Sequence, residues 1–386
     1  MNKYLNQYYI LASILFLVSF KAPNVSSLAL DYSVPGYVQT IQDGSSFIVL
    51  LLMAVSTINY LVIQRDRKTV PYALIHYFIF QIILILTGYF NEVTFSESIQ
   101  KIVFIGVSFS YFYTVVSKLN WDTNKELSVP KSIFLGSSIF CAINLVLHLS
   151  SVANVMWKGR LFGVTGHPNF LGISGAICIV SSVCLLHNEK IRVWKYIYLV
   201  GVALGIYICF LSGSRTSAIC SLAATSIFIL NQLPNIHLKI ILTCASILLG
   251  FLLYSTIDKE QVDYAGRGNT REQTWKELYL EVAELPIIGK GRVGASTNSY
   301  MFAIVAAGLL GSSFFFASLF MSCRIFFISY FGKLPDHYNI ARSLLIILLI
   351  GSVFEGFLLD LIGMSVFLYW IILSRSKPLK KIANGK

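Results

Sequence analysis

Five arginines give this sequence its chemistry: Arg160, Arg215, Arg267, Arg271 and Arg292, with Lys158 and Lys290 beside them. A guanidinium is always charged and presents a planar fork of donors that fits phosphate oxygens, so such a set points to recognition of an anion. Arg215 is the sharpest case. GSRTS (213–217) is the whole break between two apolar runs, which holds the guanidinium at the edge of the apolar phase with little loop around it. An ionisable group at that depth is a functional hypothesis by default. Gly213 permits a tight turn, and Ser214, Thr216 and Ser217 add hydroxyl donors beside the charge. The alternative is a span-end arginine whose head snorkels to the interface.

The second cluster is KGRLFGVTGHPNFLG (158–172), punctuated by Gly163, Gly166 and Pro168. A helix is expected to begin at Pro168 or Asn169, which leaves His167 at an N-terminus whose backbone N–H groups point outward. Arg160, His167 and those amides could together grip a phosphate; the alternative is a Gly/Pro connection carrying one solvated histidine. The third cluster lies in 267–301. Thr270 with Gln273 forms a capping-box pattern, and Trp275, Leu278, Tyr279 and Val282 recur at helical spacing, predicting an amphipathic surface helix over 271–284. Arg271 falls in its first turn, unfavourable for a cation unless an anionic ligand lies opposite. GKGRVG (289–294), with Arg292, reads as a flexible basic turn and lacks the length and Lys-Ser/Thr end of a nucleotide-hydrolase phosphate loop.

Glu355 and Asp360 are the acids of the last two apolar runs. A carboxylate at the depth of Glu355 needs a partner, and the outer arginines are the available ones, so a structural ion pair is favoured over a catalytic base. His76, His148 and His187 read as span-end residues, and nothing resembles a metal set, so neither metal nor cofactor is expected. The seven cysteines fall in apolar runs without CxxC spacing and read as small core residues.

The elements that must position these groups are membrane spans. Of 386 residues 56% are hydrophobic and 12% charged, with a mean hydropathy of +0.70; soluble domains carry about 25% charged residues, so a soluble fold is excluded. Apolar runs at 5–20, 44–63, 71–90, 98–117, 132–150, 168–187, 194–212, 215–231, 238–257, 298–331, 342–361 and 363–375 predict an all-α polytopic membrane protein of about twelve helices, the tenth long enough to be tilted or broken. The first run lacks a nearby small-residue cleavage site and reads as a retained span. No repeat divides the chain, so 1–386 forms a single transmembrane domain with one larger loop at 258–297. The net charge of +12 would suit a nucleic-acid binder, but short inner loops of membrane proteins are basic for insertion reasons alone. With both termini inside, nineteen of the thirty basic residues fall on the inner side, and no nucleic acid is needed to explain them. The outer arginines remain as the exception.

RLFGVTGHPNFLG (160–172), LSGSRTS (211–217), TREQTW (270–275), PIIGKG (286–291) and TNSYMFAIVAAGLLG (297–311) stand in an order and spacing that resemble the bacterial O-antigen polymerase and ligase family, membrane glycosyltransferases that use polyprenyl-diphosphate-linked sugars. The resemblance covers roughly 150–311; residues 1–150 match only as generic spans. It implies a site on the outer face of the bacterial inner membrane in which Arg215 and Arg271 contact the diphosphate, with Arg160 a further candidate. Its partners would be a polyprenyl-diphosphate-linked oligosaccharide, the bilayer and a chain-length regulator. Arg292 joins the diphosphate set, and Asn169, Ser214, Asn298 and Glu355 are expected in support. Ligases typically carry a histidine before the Asn-x-Tyr of the last motif; here Ser296 and Thr297 precede Asn298, which tilts the expectation from ligase to polymerase and leaves His167 as the substitute catalytic histidine. A transporter of lipid-linked sugars would also want outer cations, but it predicts paired charges near the midplane, whereas most charges here cluster at one face.

Overall fold

The computed structural model describes residues 5–21, 32–63, 71–91, 93–153, 155–157, 159–232, 241, 245, 270–284, 286–291, 297–327 and 336–375. Its helices are α1 (Leu5–Leu17), α2 (Gly36–Ile63), α3 (Tyr72–Phe90), α4 (Phe95–Thr114), α5 (Val129–Leu149), α6 (Pro168–Asn188), α7 (Arg192–Ser212), α8 (Arg215–Gln232), α9 (Thr270–Ala283), α10 (Ser299–Phe327), α11 (Asp336–Phe354) and α12 (Met364–Arg375). A two-stranded hairpin of β1 (Met156–Trp157) and β2 (Arg160–Leu161) precedes α6. The chain is therefore an all-α membrane protein, with seven helices among the described residues long and apolar enough to cross a bilayer.

Those seven are fewer than the twelve expected runs, for identifiable reasons. The run at 238–257 lies outside the described residues, apart from 241 and 245. Helix α8 has the length, but Arg215 at its start, Asn231 and Gln232 at its end and its serines and threonines dilute its hydropathy. Helices α1 and α12 are apolar but short, and the apolar stretch of α11 runs only from Tyr338 to Phe354. The run read as 342–361 is instead a helix that starts at Asp336 and stops at Phe354, followed by a break that contains a 3-10 turn at Phe357–Leu359. Helix α12, with 12 residues, rises only about 18 Å against a hydrocarbon thickness of about 30 Å. Every residue from Met364 to Ser374 is buried, so this helix is core, as an all-round apolar helix must be.

Burial is reversed on the outer helices. Along α2, Phe47, Leu51, Val55, Ile58 and Val62 are exposed at helical spacing, and α7 exposes Val193, Tyr196, Val200 and Phe210. Exposed apolar stripes of this length suit hydrocarbon as solvent. At the centre stands α6, packed against α5, α7, α8 and α11. Its tightest contact is with α7, where a Cβ on Gly205 would come within 2.7 Å of the Gly175 carbonyl oxygen. Small residues let the two backbones close up and gain dispersion contacts where lipid offers no hydrophobic drive.

The expectation of a broken tenth helix is met at Gly308, whose φ of 69° interrupts α10. The segment 286–291 fills the gap. Leu309 N–H donates to Pro286 O (2.8 Å), Lys290 N–H to Val305 O (2.9 Å) and Gly291 N–H to Ala306 O (3.1 Å), so backbone groups released by the break are satisfied. Thr87 Oγ1 of α3 adds a bond to Ala306 O. The start of GKGRVG is thus a docked plug and not a flexible turn, and a side chain at Gly289 or Gly308 would collide with the opposing backbone.

Candidate functional site

Arg160 is placed by the hairpin and by the loop behind it. Gly163 and Gly166 take positive φ, and the buried Asn144 of α5 accepts from Val164 N–H at 2.8 Å. Arg160 is thereby turned into the bundle, where it is 8% exposed. Its Nε donates to Ser212 O at the end of α7 (2.8 Å), and its Nη2 donates to Asn169 Oδ1 in the first turn of α6 (2.8 Å). Asn169 Nδ2 in turn donates to Glu355 Oε1. Only this orientation of the amide serves both neighbours, since a guanidinium has no acceptor and an ionised carboxylate no donor. Glu355 is therefore connected to Arg160 through an asparagine. The same residue accepts at its backbone oxygen from Ser299 Oγ in the first turn of α10 (2.8 Å). One chain of bonds ties the ends of α6, α7, α10 and α11.

Three helices begin at this junction, and their N-caps are residues singled out by the sequence. His167 caps α6, its Nδ1 accepting from Asn169 N–H at 3.2 Å. Ser214 Oγ accepts from Ser217 N–H at the start of α8 (3.3 Å), and Asn298 Oδ1 accepts from Tyr300 and Met301 N–H at the start of α10 (2.9 and 3.1 Å). Each cap is worth about 1 kcal/mol of local stability. Ser214, Thr216 and Ser217 are buried, and the hydroxyls of Ser214 and Ser217 bond each other at the cap of α8, where the sequence suggested anion donors. Gly172 of α6 is what admits them: a Cβ there would lie 2.6 Å from Ser214 Cβ. With Nδ1 accepting, a neutral His167 carries its proton on Nε2 and is a donor there; it can act as a base only by giving up the cap.

Arg215 is the first residue of α8, directly after Ser214, and is half-buried. A cation there opposes the partial positive charge of the helix start, an arrangement that an anion would relieve. The backbone of Arg271 falls in the first turn of α9, as expected, with its side chain outside the described residues. Helix α9 lies across the junction: Trp275 stacks on Phe354, the last residue of α11, at 6.4 Å, and Leu278 is buried. Tyr279, placed on the packing face by its spacing, is instead 65% exposed. Arg292, Arg267 and Lys158 lie outside the described residues. Lys290 is exposed and paired with Glu284 at 2.9 Å; that hydrogen bond holds its ammonium above the ordinary lysine pKa.

Sequence reasoning missed three features. Asn144 positions the loop, and its signal was a lone amide inside an apolar run. The plug at Gly308 was foreshadowed by glycines on both partners. A row of rings, Trp157, His167 and Phe170, spaced 6.2 Å apart, had no periodic signature, because it joins a hairpin to a helix start. In comparisons with known proteins, no family model and no curated protein matches the chain.

Proposed function

We propose that this protein is a polysaccharide polymerase that moves a glycan from a polyprenyl-diphosphate carrier to the terminal sugar of a second lipid-linked repeat unit. In this reading the fold has about twelve spans with both termini cytoplasmic, and the site faces the extracytoplasmic side of a bacterial inner membrane. The observation that carries it is the meeting of three helix N-termini with Arg160 and Arg215 at one end of the bundle. Helix starts and guanidinium groups favour negative charge, and a fixed array needs no reorganisation when charge develops.

The chemistry asked of it is a displacement. An acceptor hydroxyl oxygen bonds to the anomeric carbon, the bond from that carbon to the diphosphate oxygen breaks, and the hydroxyl proton passes to solvent water. Polyprenyl diphosphate departs with the electron pair. Arg215 and Arg271 would hold the diphosphate as charge grows on the leaving oxygen, with Arg292 in the same set. His167 would donate from Nε2. Arg160, Asn169 and Glu355 would act as positioning residues, holding the helix starts in register. The order of motifs described above supports the family reading, and the absence of a histidine immediately before Asn298 favours polymerase over ligase.

Reconstitution in proteoliposomes with only the lipid-linked repeat unit tests this. A ladder of longer products is the expected result. Product that forms only when a lipid A core or protein acceptor is added identifies a ligase, and movement of the lipid without new bonds identifies a transporter; either replaces the polymerase reading.

A further inference from the structure

We propose that the 286–291 plug is a lipid anchor: Ile287 and Ile288 sit among acyl chains of the leaflet on the junction side and tether α9 to the membrane surface. The sequence reads 258–297 as one loop outside the membrane. This piece of it belongs at the edge of the hydrocarbon.

The plug is fixed in its backbone and exposed in its side chains. Leu309 N–H donates to Pro286 O and Leu310 N–H to Ile287 O, while Lys290 and Gly291 donate to Val305 O and Ala306 O. Yet Ile287 and Ile288 are 73% and 69% exposed, and Leu309 and Leu310, to which they are bonded, are exposed as well. Large apolar side chains held outward on a docked backbone mark a surface that expects an apolar neighbour.

Two helices fix the depth of that surface independently. Helix α3 has 19 residues and rises about 28 Å, close to a hydrocarbon thickness of about 30 Å. The plug docks on its last turn: Asn91 Nδ2 donates to Gly289 O (3.4 Å), and a Cβ on Gly291 would lie 3.0 Å from Thr87 O. Helix α10 beyond its break, from Leu309 to Phe327, also rises about 28 Å, so Gly308 falls at the same boundary. Rings mark this level. Tyr89, Phe90 and Phe95 are exposed where α3 turns into α4, with Tyr89 5.5 Å from Phe90 and 6.0 Å from Phe95, as in the aromatic belt of a membrane–water interface.

The occupant that fits this depth is the bilayer itself, already the solvent of the exposed stripes on α2 and α7. Non-helical backbone is tolerated there because α3 and α10 satisfy its carbonyls at 286, 287 and 289 and its N–H groups at 290 and 291, and Pro286 has no N–H to leave open. The ion pair of Lys290 with Glu284 flanks the isoleucines, as charged side chains do at headgroup level. Helix α9 ends at Ala283, so the anchor holds the far end of the helix that lies across the junction, while Trp275 on Phe354 holds its middle. The anchor stands whichever substrate the junction takes.

The test places a nitroxide on single introduced cysteines of the full-length protein in phosphatidylethanolamine–phosphatidylglycerol nanodiscs, with the signal of identically treated wild type subtracted. Collision with oxygen, which concentrates in hydrocarbon, is compared with collision with a water-soluble nickel chelate. Ile288→Cys and Leu310→Cys should show an oxygen-to-nickel ratio at least three-fold above that of Glu277→Cys on the charged face of α9, approaching that of Val55→Cys on the lipid face of α2. Should Ile288→Cys fail to insert, Leu310→Cys carries the measurement. A ratio equal to that of Glu277→Cys overturns the proposal, because the plug then lies in water. Labels reached by neither reagent also overturn it, because protein then covers the surface. In the same nanodiscs, replacing Ile287 and Ile288 together by serine should speed hydrogen exchange at the Lys290 and Gly291 amides at least ten-fold; unchanged exchange would overturn the anchoring role.

Discussion

Arg160 and Arg215 carry the same charge at the same end of the bundle, and they are held in different ways. Arg160 is turned inward by the hairpin and donates to Ser212 O and to Asn169, which passes the connection on to Glu355. Arg215 opens a helix, half-buried, beside a serine whose hydroxyl already caps that helix. A guanidinium bonded to two helices of its own fold, and through Asn169 connected to Glu355, works as a fastener. One at a helix start, where the dipole disfavours it, is better placed to meet something from outside. Charge at the membrane edge alone therefore does not define a site residue; how the charge is fixed does.

The contrast can be broken by substitution, read first as stability in detergent or nanodiscs by chemical or thermal unfolding. Arg160→Ala should have the largest effect, a loss of about 3 kcal/mol, because it removes two charge-assisted bonds and leaves Ser212 O and Asn169 Oδ1 buried without their donor. Arg160→Lys should recover little of it, since an ammonium cannot reproduce the fork. Gly308→Ala should cost about 2 kcal/mol, from positive φ together with the approach to Ile287 O, and should loosen the 286–291 plug as seen by hydrogen exchange. Ser214→Ala should cost about 1 kcal/mol, the worth of a cap, and fray the start of α8. Arg215→Ala should be the smallest of the series, within about 0.5 kcal/mol of wild type, because the side chain is only half-buried.

Much of the scaffold was legible in the sequence because membrane spans announce themselves by length and composition. The starts of α6 at Pro168, α8 at Arg215 and α9 near Arg271 follow from proline, glycine and capping chemistry, which acts locally. What was not legible depended on contacts between distant segments. Nothing in GKGRVG says that its first glycines enter a gap in a helix opened by Gly308, and nothing near Asn169 says that its partners are residues 160 and 355. The hydroxyls around Arg215 misled for the same reason: Ser214 and Ser217 are taken up by α8 and by the close approach of Gly172. Spans that end early, as α11 does at Phe354, escape hydropathy because the 3-10 turn that follows is as apolar as a helix.

The central claim is that Arg215 serves a bound diphosphate and not the fold. It is tested most directly by measuring chain elongation from the lipid-linked repeat unit in proteoliposomes containing Arg215→Ala, with its unfolding midpoint recorded on the same preparation. The account predicts an unfolding midpoint close to wild type and elongation reduced at least about a hundred-fold, the scale for loss of one fixed group that stabilises developing charge. Elongation at the wild-type rate by a stably folded Arg215→Ala protein would contradict it.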